Sequence, residues 1–370
     1  MINTIKKIIR KIISEKLIII FWHLPQSFLA ALVNNFPAKK IKVIGVAGTK
    51  GKTTTAFLIS QVLEGSGKKV ALISTALMKI GEKEELNKVK MTTPSPFFLQ
   101  KFIKKAVKAN CEYLVLETSS HALMQYRTLN IPFRIAVLTN MMPDHLEYHK
   151  TKEEYSESHF KMINSKLKYL ILNGDDENLS NFINQPIDFS KKIIFGLNSK
   201  KNIIAKNIIL DFNGSKFNIK TPKGSTDINI PLLGKFNVYN TLAAITVGIY
   251  ENLELDIIRK TLSKISGVPG RVEKINCGQN FEVIVDYAHS TDSLTNFFDG
   301  VSCFKKNKVI TVFGACGDRD PNTRPLMGTI IDKNSDYIIV TNDDPFTEDP
   351  EQIANNLLTG IKKKKNNENL

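Results

Sequence analysis

The segment from Gly45 to Thr55 has the composition of a phosphate-binding loop. It reads Gly-Val-Ala-Gly-Thr-Lys-Gly-Lys-Thr-Thr-Thr, between an apolar β-branched run and a helical pattern. Glycines let backbone N–H groups close around phosphate oxygens, and the helix N-terminus adds a favourable dipole. In such a loop Lys52 reaches the β- and γ-phosphates, and the Thr53 hydroxyl binds Mg²⁺. The generic pattern has glycine at position 46, where this chain has valine, so we expect a variant loop.

Candidate metal ligands follow two later apolar runs. Glu117 ends Tyr-Leu-Val-Leu-Glu, and a carboxylate at the carboxyl end of a parallel strand faces the crevice where ligands bind. We therefore expect Glu117 to bind Mg²⁺ beside Thr53, with a helix cap as the alternative. Asp144, His145 and His149 follow another run, where imidazoles either bind a metal or serve the structure.

The elements that position these groups are predicted by the alternation of apolar runs with helical patterns, which indicates a parallel α/β sheet. The expected strands are Lys42–Val46, Val70–Thr75, Tyr113–Glu117, Ile135–Thr139, Tyr169–Asn173 and Ile193–Phe195. The expected helices between them include Thr53–Glu64 and Pro96–Ala109.

The pattern changes after residue 196. Residues 197–232 are polar and alternating, with turn residues at 213–214 and 223–224, and they predict an antiparallel addition. A helical stretch is expected over 237–265, and Gly267-Val-Pro-Gly270 is expected to be a hinge. A second α/β set follows, with strands expected at Phe281–Asp286, Val309–Phe313 and Tyr337–Thr341.

The composition limits the class of protein. The chain has 370 residues, 42% hydrophobic and 24% charged, which fits two or three globular domains and excludes a disordered chain, a collagen and a coiled coil. Its formal net charge of +15 suits anionic partners, which include nucleotides, nucleic acids and membrane surfaces. The four cysteines form no CxxC pair, so we expect reduced cytosolic thiols.

Residues 1–40 form a distinct N-terminal segment. Isoleucines at helical spacing alternate with lysines and an arginine over residues 1–16, which predicts a basic amphipathic helix. The apolar run Leu17–Trp22 is well short of the roughly 20 residues needed to span a bilayer. The segment is therefore either a membrane-surface anchor or a helical hairpin packed on the next domain.

These motifs together resemble the Mur ligase family. The loop Gly48–Thr53 has this family's form, and the other segments follow in the family's order over about residues 41–350. They are Thr92–Pro94, Glu117–Leu123, Thr139-Asn140, Asp144-His145, Leu233–Asn240, Gly267–Glu273, Asp286–His289, Gly317–Asp320 and Arg324–Gly328. More narrowly, the order is similar to that of the UDP-N-acetylmuramoyl-tripeptide synthetases, the branch that adds the third residue of the peptidoglycan stem peptide.

The resemblance implies a reaction. ATP phosphorylates a carboxylate of UDP-N-acetylmuramoyl-L-Ala-D-Glu, and the amine of an amino acid then displaces phosphate from the acyl phosphate to form an amide. ATP and Mg²⁺ are the implied cofactors, and the muramoyl dipeptide and the amino acid are the implied substrates. No nucleic-acid partner is implied. The expected protein is a cytoplasmic monomer, with peripheral contact to the inner membrane surface through residues 1–40.

The resemblance also implies a domain plan. A helical segment over 1–40 precedes a central ATP-binding domain over 41–267, which has a P-loop ATPase-type parallel sheet and the antiparallel addition. A Rossmann-like C-terminal domain, apparently incomplete, covers 268–370.

Individual roles follow from the same resemblance. The implied catalytic residues are Lys52, Glu117, His145 and His159, and the metal ligands among the site residues are Thr53, Glu117 and His145. The implied ATP-binding residues are Gly48, Thr49, Lys50, Gly51, Lys52, Thr53, Thr54, Asn237, Asn240, Arg271, Asp286 and His289. The implied substrate-binding residues are Thr92, Thr93, Ser119, Gln125, Arg127, Arg319, Asp343 and Asp344. Taken singly, several have structural alternatives: helix caps for the two asparagines, a surface cation for Arg271 and a turn residue for Asp286.

Four features depart from the family pattern. Residues 1–40 stand where the family has a UDP-binding domain, and the chain stops at Leu370, before the family's last strands. His159 stands where many members have a carbamylated lysine, with Lys161 as the alternative ligand. The specificity motif reads Asp343-Asp-Pro-Phe346, and the phenyl ring replaces an arginine that would pair with a carboxylate of meso-diaminopimelate. We therefore expect lysine or another amino acid as the substrate.

Two other functions stay open from the sequence. A related amide ligase such as a folylpolyglutamate synthetase is opposed by Thr92, Thr93 and the Ser119–Arg127 segment. A non-catalytic nucleotide-binding or membrane-associated protein is favoured by the early end and by His159. It is opposed by the intact Lys52, Thr53, Glu117 and His145.

Overall fold

The chain forms two compact units in a computed structural model that describes residues 15–89, 91–184, 191–198, 201–302, 305 and 307–362. The first unit is Met1–Leu210 with Gly214–Val268, and the second is Asp211–Asn213 with Pro269–Leu370. Their boundary falls within the segment expected to be a hinge. Residues 1–14 of the predicted amphipathic helix over 1–16 lie outside the described residues. So do residues 363–367 of the low-complexity run Lys362–Asn367, which the sequence predicts to be a solvated tail.

The first unit alternates strands and helices along the chain. Its helices are α1 (Glu15–Ile18), α2 (Leu24–Val33), α3 (Lys52–Gly65), α4 (Pro96–Lys108), α5 (Ser120–Met124), α6 (Leu146–His149), α7 (Lys152–Phe160), α8 (Ser180–Asn184), α9 (Lys235–Tyr250) and α10 (Leu255–Leu262). Its strands are β1 (Lys42–Ala47), β2 (Val70–Ile73), β3 (Leu77–Ile80), β4 (Lys83–Leu86), β5 (Tyr113–Glu117), β6 (Phe133–Leu138), β7 (Tyr169–Asn173), β8 (Lys191–Gly196), β9 (Ile203–Asp211), β10 (Gly214–Thr221) and β11 (Gly224–Ile230).

These strands form one sheet in the order β11-β10-β9-β8-β7-β6-β1-β5-β2-β3-β4. The strands from β9 to β2 along this order pair in parallel. Helices cover both faces, so side chains that point either way from the central strands are buried. Ile44 and Val46 of β1 belong to a core with α3 and α9, whereas Val43 and Ala47 belong to a core with α4. The predicted α/β fold with a central parallel sheet is confirmed.

The antiparallel addition differs in part from the prediction. β10 and β11 do form an antiparallel hairpin, but β9 pairs in parallel with β8 and so extends the parallel sheet. The antiparallel hairpin of β3 and β4, next to β2, was not predicted. The helical stretch expected over 237–265 is two helices, because Asn252 has a φ of 65° and ends the first.

The second unit is smaller. Its elements are β12 (Glu273–Ile275), β13 (Val283–Val285), α11 (Thr291–Ser302), β14 (Ile310–Phe313), α12 (Thr323–Asn334), β15 (Tyr337–Val340) and α13 (Pro350–Leu358). β12 and β13 pair antiparallel, and β14 and β15 pair parallel, in two separate two-stranded sheets. The prediction of a single three-stranded α/β set is therefore wrong for β13. Leu294, Phe298, Ile331 and Ile353 lie in the core between the helices and β15.

Residues 15–40 are largely helical, and their helix α2 packs on α4. A π-helical turn, Ile19–His23, joins α1 to α2, and Pro25 lies in the first turn of α2. Proline is tolerated there because the N–H it lacks has no partner within the helix. No helix among the described residues combines the length and apolarity needed to cross a membrane.

Candidate active site

The phosphate loop connects β1 to α3. Its backbone is held by the loop after β6: Thr49 N–H donates to the Asn140 carbonyl at 3.0 Å, and Lys50 N–H donates to Asn140 Oδ1 at 2.8 Å. The Thr139 hydroxyl donates to the Lys50 carbonyl at 2.7 Å. The loop is therefore shaped by side chains from the neighbouring parallel strand.

Two glycines in the loop have conformations that other residues rarely adopt. Gly48 has a φ of 127°, and a Cβ there would lie 2.4 Å from Thr139 Oγ1. Gly51 has a φ of 79°, and its Cβ would lie 2.3 Å from Asn240 Oδ1. Both positions therefore combine a left-handed backbone with close contact, which explains why the loop has glycine at each.

The Lys52 ammonium folds back onto this loop and bonds to its backbone. It donates to the Gly48 carbonyl at 2.9 Å and to the Thr49 carbonyl at 2.8 Å. These bonds hold a positive charge above the loop N–H groups, where a phosphate would bind. The structure thus brings together Gly48, Thr49, Lys50, Gly51, Lys52, Thr53 and Thr54, as the motif predicts.

Glu117 lies at the carboxyl end of β5, with 1% of its surface exposed. Its Oε1 accepts hydrogen bonds from the Thr53 hydroxyl at 3.1 Å and the Thr75 hydroxyl at 3.0 Å. Its Oε2 accepts from the Thr75 N–H at 2.6 Å. A carboxylate and a hydroxyl side by side at the phosphate loop are the hard oxygen donors that Mg²⁺ prefers. The residues present therefore fit the predicted metal.

The predicted substrate-binding residues of the first unit form one hydrogen-bonded cluster next to Glu117. Thr93 donates to the Glu117 carbonyl and accepts from the Ser119 N–H, each at 3.0 Å. Arg127 donates to the Thr93 carbonyl at 2.8 Å and to Gln125 Oε1 at 2.6 Å. Thr92 joins the cluster through the Thr75 hydroxyl, 3.0 Å away. The cluster presents a cation and several hydroxyls, which suit an anionic, hydroxyl-rich substrate.

His145 begins α6 with a φ of 54°, and its ring packs on that of His121, with centroids 4.7 Å apart. His121 also packs against Tyr148 and His149. The His149 Nε2 lies 2.9 Å from the Ser120 hydroxyl. His145 is thus part of an imidazole cluster on the loop after β6. Its predicted role in metal binding stays a prediction.

His159 is buried on α7, with its Nδ1 2.9 Å from the Tyr155 carbonyl. Burial lowers the pKa of its imidazole to about 4, so the ring is neutral at pH 7. Its Nε2 is buried without a hydrogen-bond partner. The alternative ligand Lys161 instead lies 3.9 Å above the Tyr126 ring in a cation–π contact. Because the buried Nε2 lacks a hydrogen-bond partner, His159 is a stronger candidate metal ligand than Lys161.

Asn237 and Asn240 are buried in the first turns of α9. Asn240 Nδ2 donates to Asn237 Oδ1 at 2.9 Å, and its Oδ1 accepts from the Thr55 hydroxyl at 3.2 Å. The pair therefore lies behind Gly51, on the protein side of the phosphate loop. Their predicted contact with ATP stays a prediction.

In the second unit, Arg271, Asp286 and His289 lie around Tyr287. The Arg271 guanidinium is 4.7 Å from the Tyr287 ring centroid, and the His289 ring is 4.9 Å from it. Burial raises the pKa of the Asp286 carboxyl, although it accepts backbone N–H bonds from Val272 and Ala288. These residues are therefore brought together, as their predicted shared role in ATP binding requires.

Arg319, Asp343 and Asp344 lie on two loops of the second unit, 316–320 and 343–348. The Cys316 thiol donates to Asp343 Oδ2 at 3.1 Å, and the Gly317 N–H donates to the Asp344 carbonyl at 2.9 Å. Burial, together with Asp343, raises the pKa of the Cys316 thiol to about 11. The two loops that carry the predicted amino-acid site are therefore joined to each other.

Three contributing residues were not predicted. Thr75 follows β2 and holds both oxygens of Glu117, and its place at the end of a parallel strand was a usable signal. Tyr155 lies 2.9 Å from the Thr49 hydroxyl, and burial raises the pKa of its phenol to about 12. Arg324, 1% exposed, makes two 2.8 Å bonds to Glu348. No local sequence pattern indicates either of the last two contacts.

Two family models match the chain. One describes the Mur ligase middle domain and matches residues 46–248. The other describes the Mur ligase glutamate ligase domain and matches residues 270–368. The resemblance inferred from the motifs is confirmed, and so is the expected enzyme class of ligase.

Individual relatives support the same family assignment. The UDP-N-acetylmuramoyl-L-alanyl-D-glutamate–2,6-diaminopimelate ligase of Syntrophomonas wolfei is 38% identical over 345 residues, which cover 91% of this chain and 70% of the relative. A solved structure of a ligase with the same name is 32% identical, with a TM-score of 0.66, over 87% of this chain and 66% of that one. The chain thus spans about two thirds of the length of these relatives.

A folylpolyglutamate synthase from Mycobacterium tuberculosis has a TM-score of 0.74 over 91% of this chain, at 15% identity. That likeness shows a common fold alone.

Proposed function

Since the chain belongs to the Mur ligase family, whose members are ATP-dependent ligases, we propose that it adds an amino acid to UDP-N-acetylmuramoyl-L-Ala-D-Glu. The observation that carries this proposal is the joining of two sites in the first unit. The phosphate loop and the Thr93–Arg127 cluster meet at Glu117, which bonds to Thr53 through its side chain and to Thr93 through its carbonyl. A phosphate donor and an anionic acceptor would therefore bind side by side.

The proposed chemistry begins with binding of the two anions. The loop N–H groups and Lys52 hold the phosphates of ATP, and Arg127 with Ser119 holds the acceptor so that its carboxylate oxygen attacks the γ-phosphorus. Positioning and charge neutralisation carry most of the catalysis in phosphoryl transfer. The amine of the amino acid then attacks the acyl carbon and phosphate leaves, which forms the amide, and Arg319 would pair with the amino acid's own carboxylate.

Mg²⁺ would be held by Thr53 and Glu117, with His145 and His159 as further candidate ligands. When bound, it would neutralise charge on the phosphates. Thr75 orients the Glu117 carboxylate through two hydrogen bonds. These bonds keep its Oε1 directed toward the Thr53 hydroxyl.

The proposed amino acid is not meso-diaminopimelate, although the relatives are named for that substrate. Phe346 occupies the last position of the specificity motif, and its phenyl ring has neither a charge nor a hydrogen-bond donor with which to pair a second carboxylate. Lysine, which lacks that carboxylate, is the first candidate. The test is a comparison of lysine with meso-diaminopimelate as substrates. Faster tripeptide formation with meso-diaminopimelate would contradict this assignment.

The proposed location is the cytoplasm. Its support is chemical: Cys111, Cys277 and Cys316 are free thiols, which suits a reducing compartment. The reaction also consumes ATP.

The proposed reaction is tested by phosphate release from ATP with and without the muramoyl dipeptide. Release that requires both the dipeptide and an amino acid supports the ligase. ATP binding without dipeptide-dependent release would instead favour a non-catalytic nucleotide-binding protein.

A further inference from the structure

A ridge of large apolar side chains on the N-terminal helical segment is open to solvent. We call these residues the apolar ridge; the exposed fraction of each is at least 46%, and they are Leu17, Ile20, Phe21, Trp22, Phe28, Leu29, Leu32 and Val33. Phe21 and Trp22 are the most exposed of them, at 74% and 64%. Contiguous exposed apolar surface of this kind marks an interaction site rather than ordinary surface variation.

The opposite face of the same segment is buried. Ser27, Ala30 and Ala31 are at most 1% exposed, and α2 packs on α4. The segment therefore lies along the surface of the first unit and turns its apolar ridge outward. A helix fixed in this way can lie in an interface, but it presents only one side to it.

Exposed positive charge lies on the two elements next to α2, the turn that follows it and the helix α4 that packs on it. Lys39 and Lys40 are exposed in the 3₁₀ turn that follows α2, and α4 exposes Lys101, Lys105 and Lys108. We call these five lysines the basic rim. The sequence has no acidic residue between Glu15 and Glu64, or between Glu85 and Glu112. Apart from Glu15 at the start of α1, the elements that form the ridge and its rim therefore carry no carboxylate.

We propose that the apolar ridge and the basic rim dock this protein on the surface of an anionic lipid membrane. Tryptophan and phenylalanine favour the boundary between headgroups and acyl chains, and lysines beside them are attracted to anionic lipid. A second copy of the chain is a poorer occupant, because it would bring two basic rims together. The docking is independent of the proposed ligase reaction.

Trp22 makes the proposal directly measurable, because it is the only tryptophan in the chain. The full-length protein is titrated with vesicles of phosphatidylglycerol and phosphatidylcholine, and separately with phosphatidylcholine alone. We expect a blue shift of Trp22 emission, protection from iodide quenching and co-sedimentation with the anionic vesicles. Added salt should weaken this binding.

Matched variants distinguish the contribution of the apolar ridge to vesicle binding from that of the basic rim. Phe21→Ser with Leu29→Ser should weaken vesicle binding at least about tenfold, since both apolar side chains would leave the interface. Ile209→Ser, which changes a 60% exposed residue on β9, should leave it unchanged. Each of Lys101→Gln and Lys105→Gln should weaken binding to anionic vesicles about fivefold. Unchanged circular dichroism and ATP binding show that the variants are folded.

Three results would overturn the proposal. The first is no binding to either kind of vesicle, and the second is equal binding to both. The third is a self-association that Phe21→Ser with Leu29→Ser abolishes while vesicles fail to bind, which would assign the ridge to a second copy.

Discussion

Lys52 is the residue on which we expect phosphate binding to depend most. Its ammonium bonds to two carbonyls of the loop, so its positive charge lies at the loop where we expect the phosphates to bind. The residue could be assigned from sequence alone, because a Gly-Lys-Thr sequence after a strand has one well-understood geometry. Glu117 could be assigned for a similar reason, since Val46 of β1 lies opposite it in the sheet.

Replacement of Lys52 by alanine is expected to lower dipeptide-dependent phosphate release by about 100- to 1,000-fold, the usual cost of removing one donor to a developing charge. Lys39→Ala removes an exposed lysine of the same unit and serves as the control. Phosphate release by Lys52→Ala at the level of the control would contradict the loop assignment.

Thr75 is expected to strengthen Mg²⁺ binding because it orients the Glu117 carboxylate. Thr75→Val removes the hydroxyl bond to Oε1 but keeps the backbone bond to Oε2, and we expect about a tenfold higher Mg²⁺ concentration for half-maximal phosphate release. Thr75→Ser retains the hydroxyl and should behave as the unaltered protein. A Mg²⁺ titration compares the two, and identical curves would show that Thr75 does not orient the ligand.

His159 is expected to make the free energy of unfolding depend on pH. Its folded pKa of about 4 lies below the ordinary 6.5, so the unfolded chain binds more protons between these values. Stability is therefore full above pH 6.5 and falls as pH drops toward 4, by about 3 kcal/mol for this group. Urea unfolding in the presence of EDTA, followed by circular dichroism, should show a smaller loss for His159→Gln.

The exposed His289 offers the control for this measurement. His289→Gln should keep the full acid dependence, because its imidazole is not buried. An acid dependence that is the same in all three proteins would show that His159 is not held neutral by burial.

At the scale of elements, the central parallel strands and the β10–β11 hairpin were predictable, whereas the β3–β4 hairpin at the other edge of the sheet was not. β5 and β7 match their predicted ranges, because apolar β-branched runs of that length have few alternatives. β4 was missed because Lys-Glu-Glu-Leu is exposed throughout and has neither apolar alternation nor β-branched residues. β13 was assigned to the wrong sheet, because a short run of apolar residues does not indicate which strand it pairs with.

The loops of the second unit depend on an ion pair that no sequence pattern indicated. Arg324 bonds to both oxygens of Glu348 and to the Cys316 carbonyl, and Glu348 Oε1 accepts from the Asp318 N–H. The pair therefore ties the loop that carries Arg319 to the loop that carries the specificity motif. The contacts of Glu348 with Arg324 and Asp318 join residues 24 and 30 positions apart, so only the fold reveals them.

Glu348→Gln is expected to loosen both loops and to raise the KM for the amino acid about fivefold or more, because a neutral amide cannot replace a charge-assisted pair. The KM for ATP should change far less. Glu351→Gln, an exposed change in the first turn of α13, is the control. Equal changes in the two KM values would indicate a general loss of structure instead of a positioning role.

At the scale of the whole molecule, the order of motifs along the chain predicted more than any single motif. The family and the fold follow from segments between residues 45 and 328, and two family models match the same stretch. The hydrogen bonds of Tyr155 with Thr49 and of Thr75 with Glu117 could not be predicted, because they depend on how separate loops pack at the edge of the sheet.

The most direct test of the proposed function is phosphate release by the full chain with ATP, Mg²⁺ and UDP-N-acetylmuramoyl-L-Ala-D-Glu, scanned across amino acids. The proposal predicts release that depends on the dipeptide and is strongest with one amino acid, accompanied by the matching tripeptide. Lysine is expected to exceed meso-diaminopimelate. Measurable ATP binding with no dipeptide-dependent release for any amino acid would contradict the assignment of this chain as an active ligase.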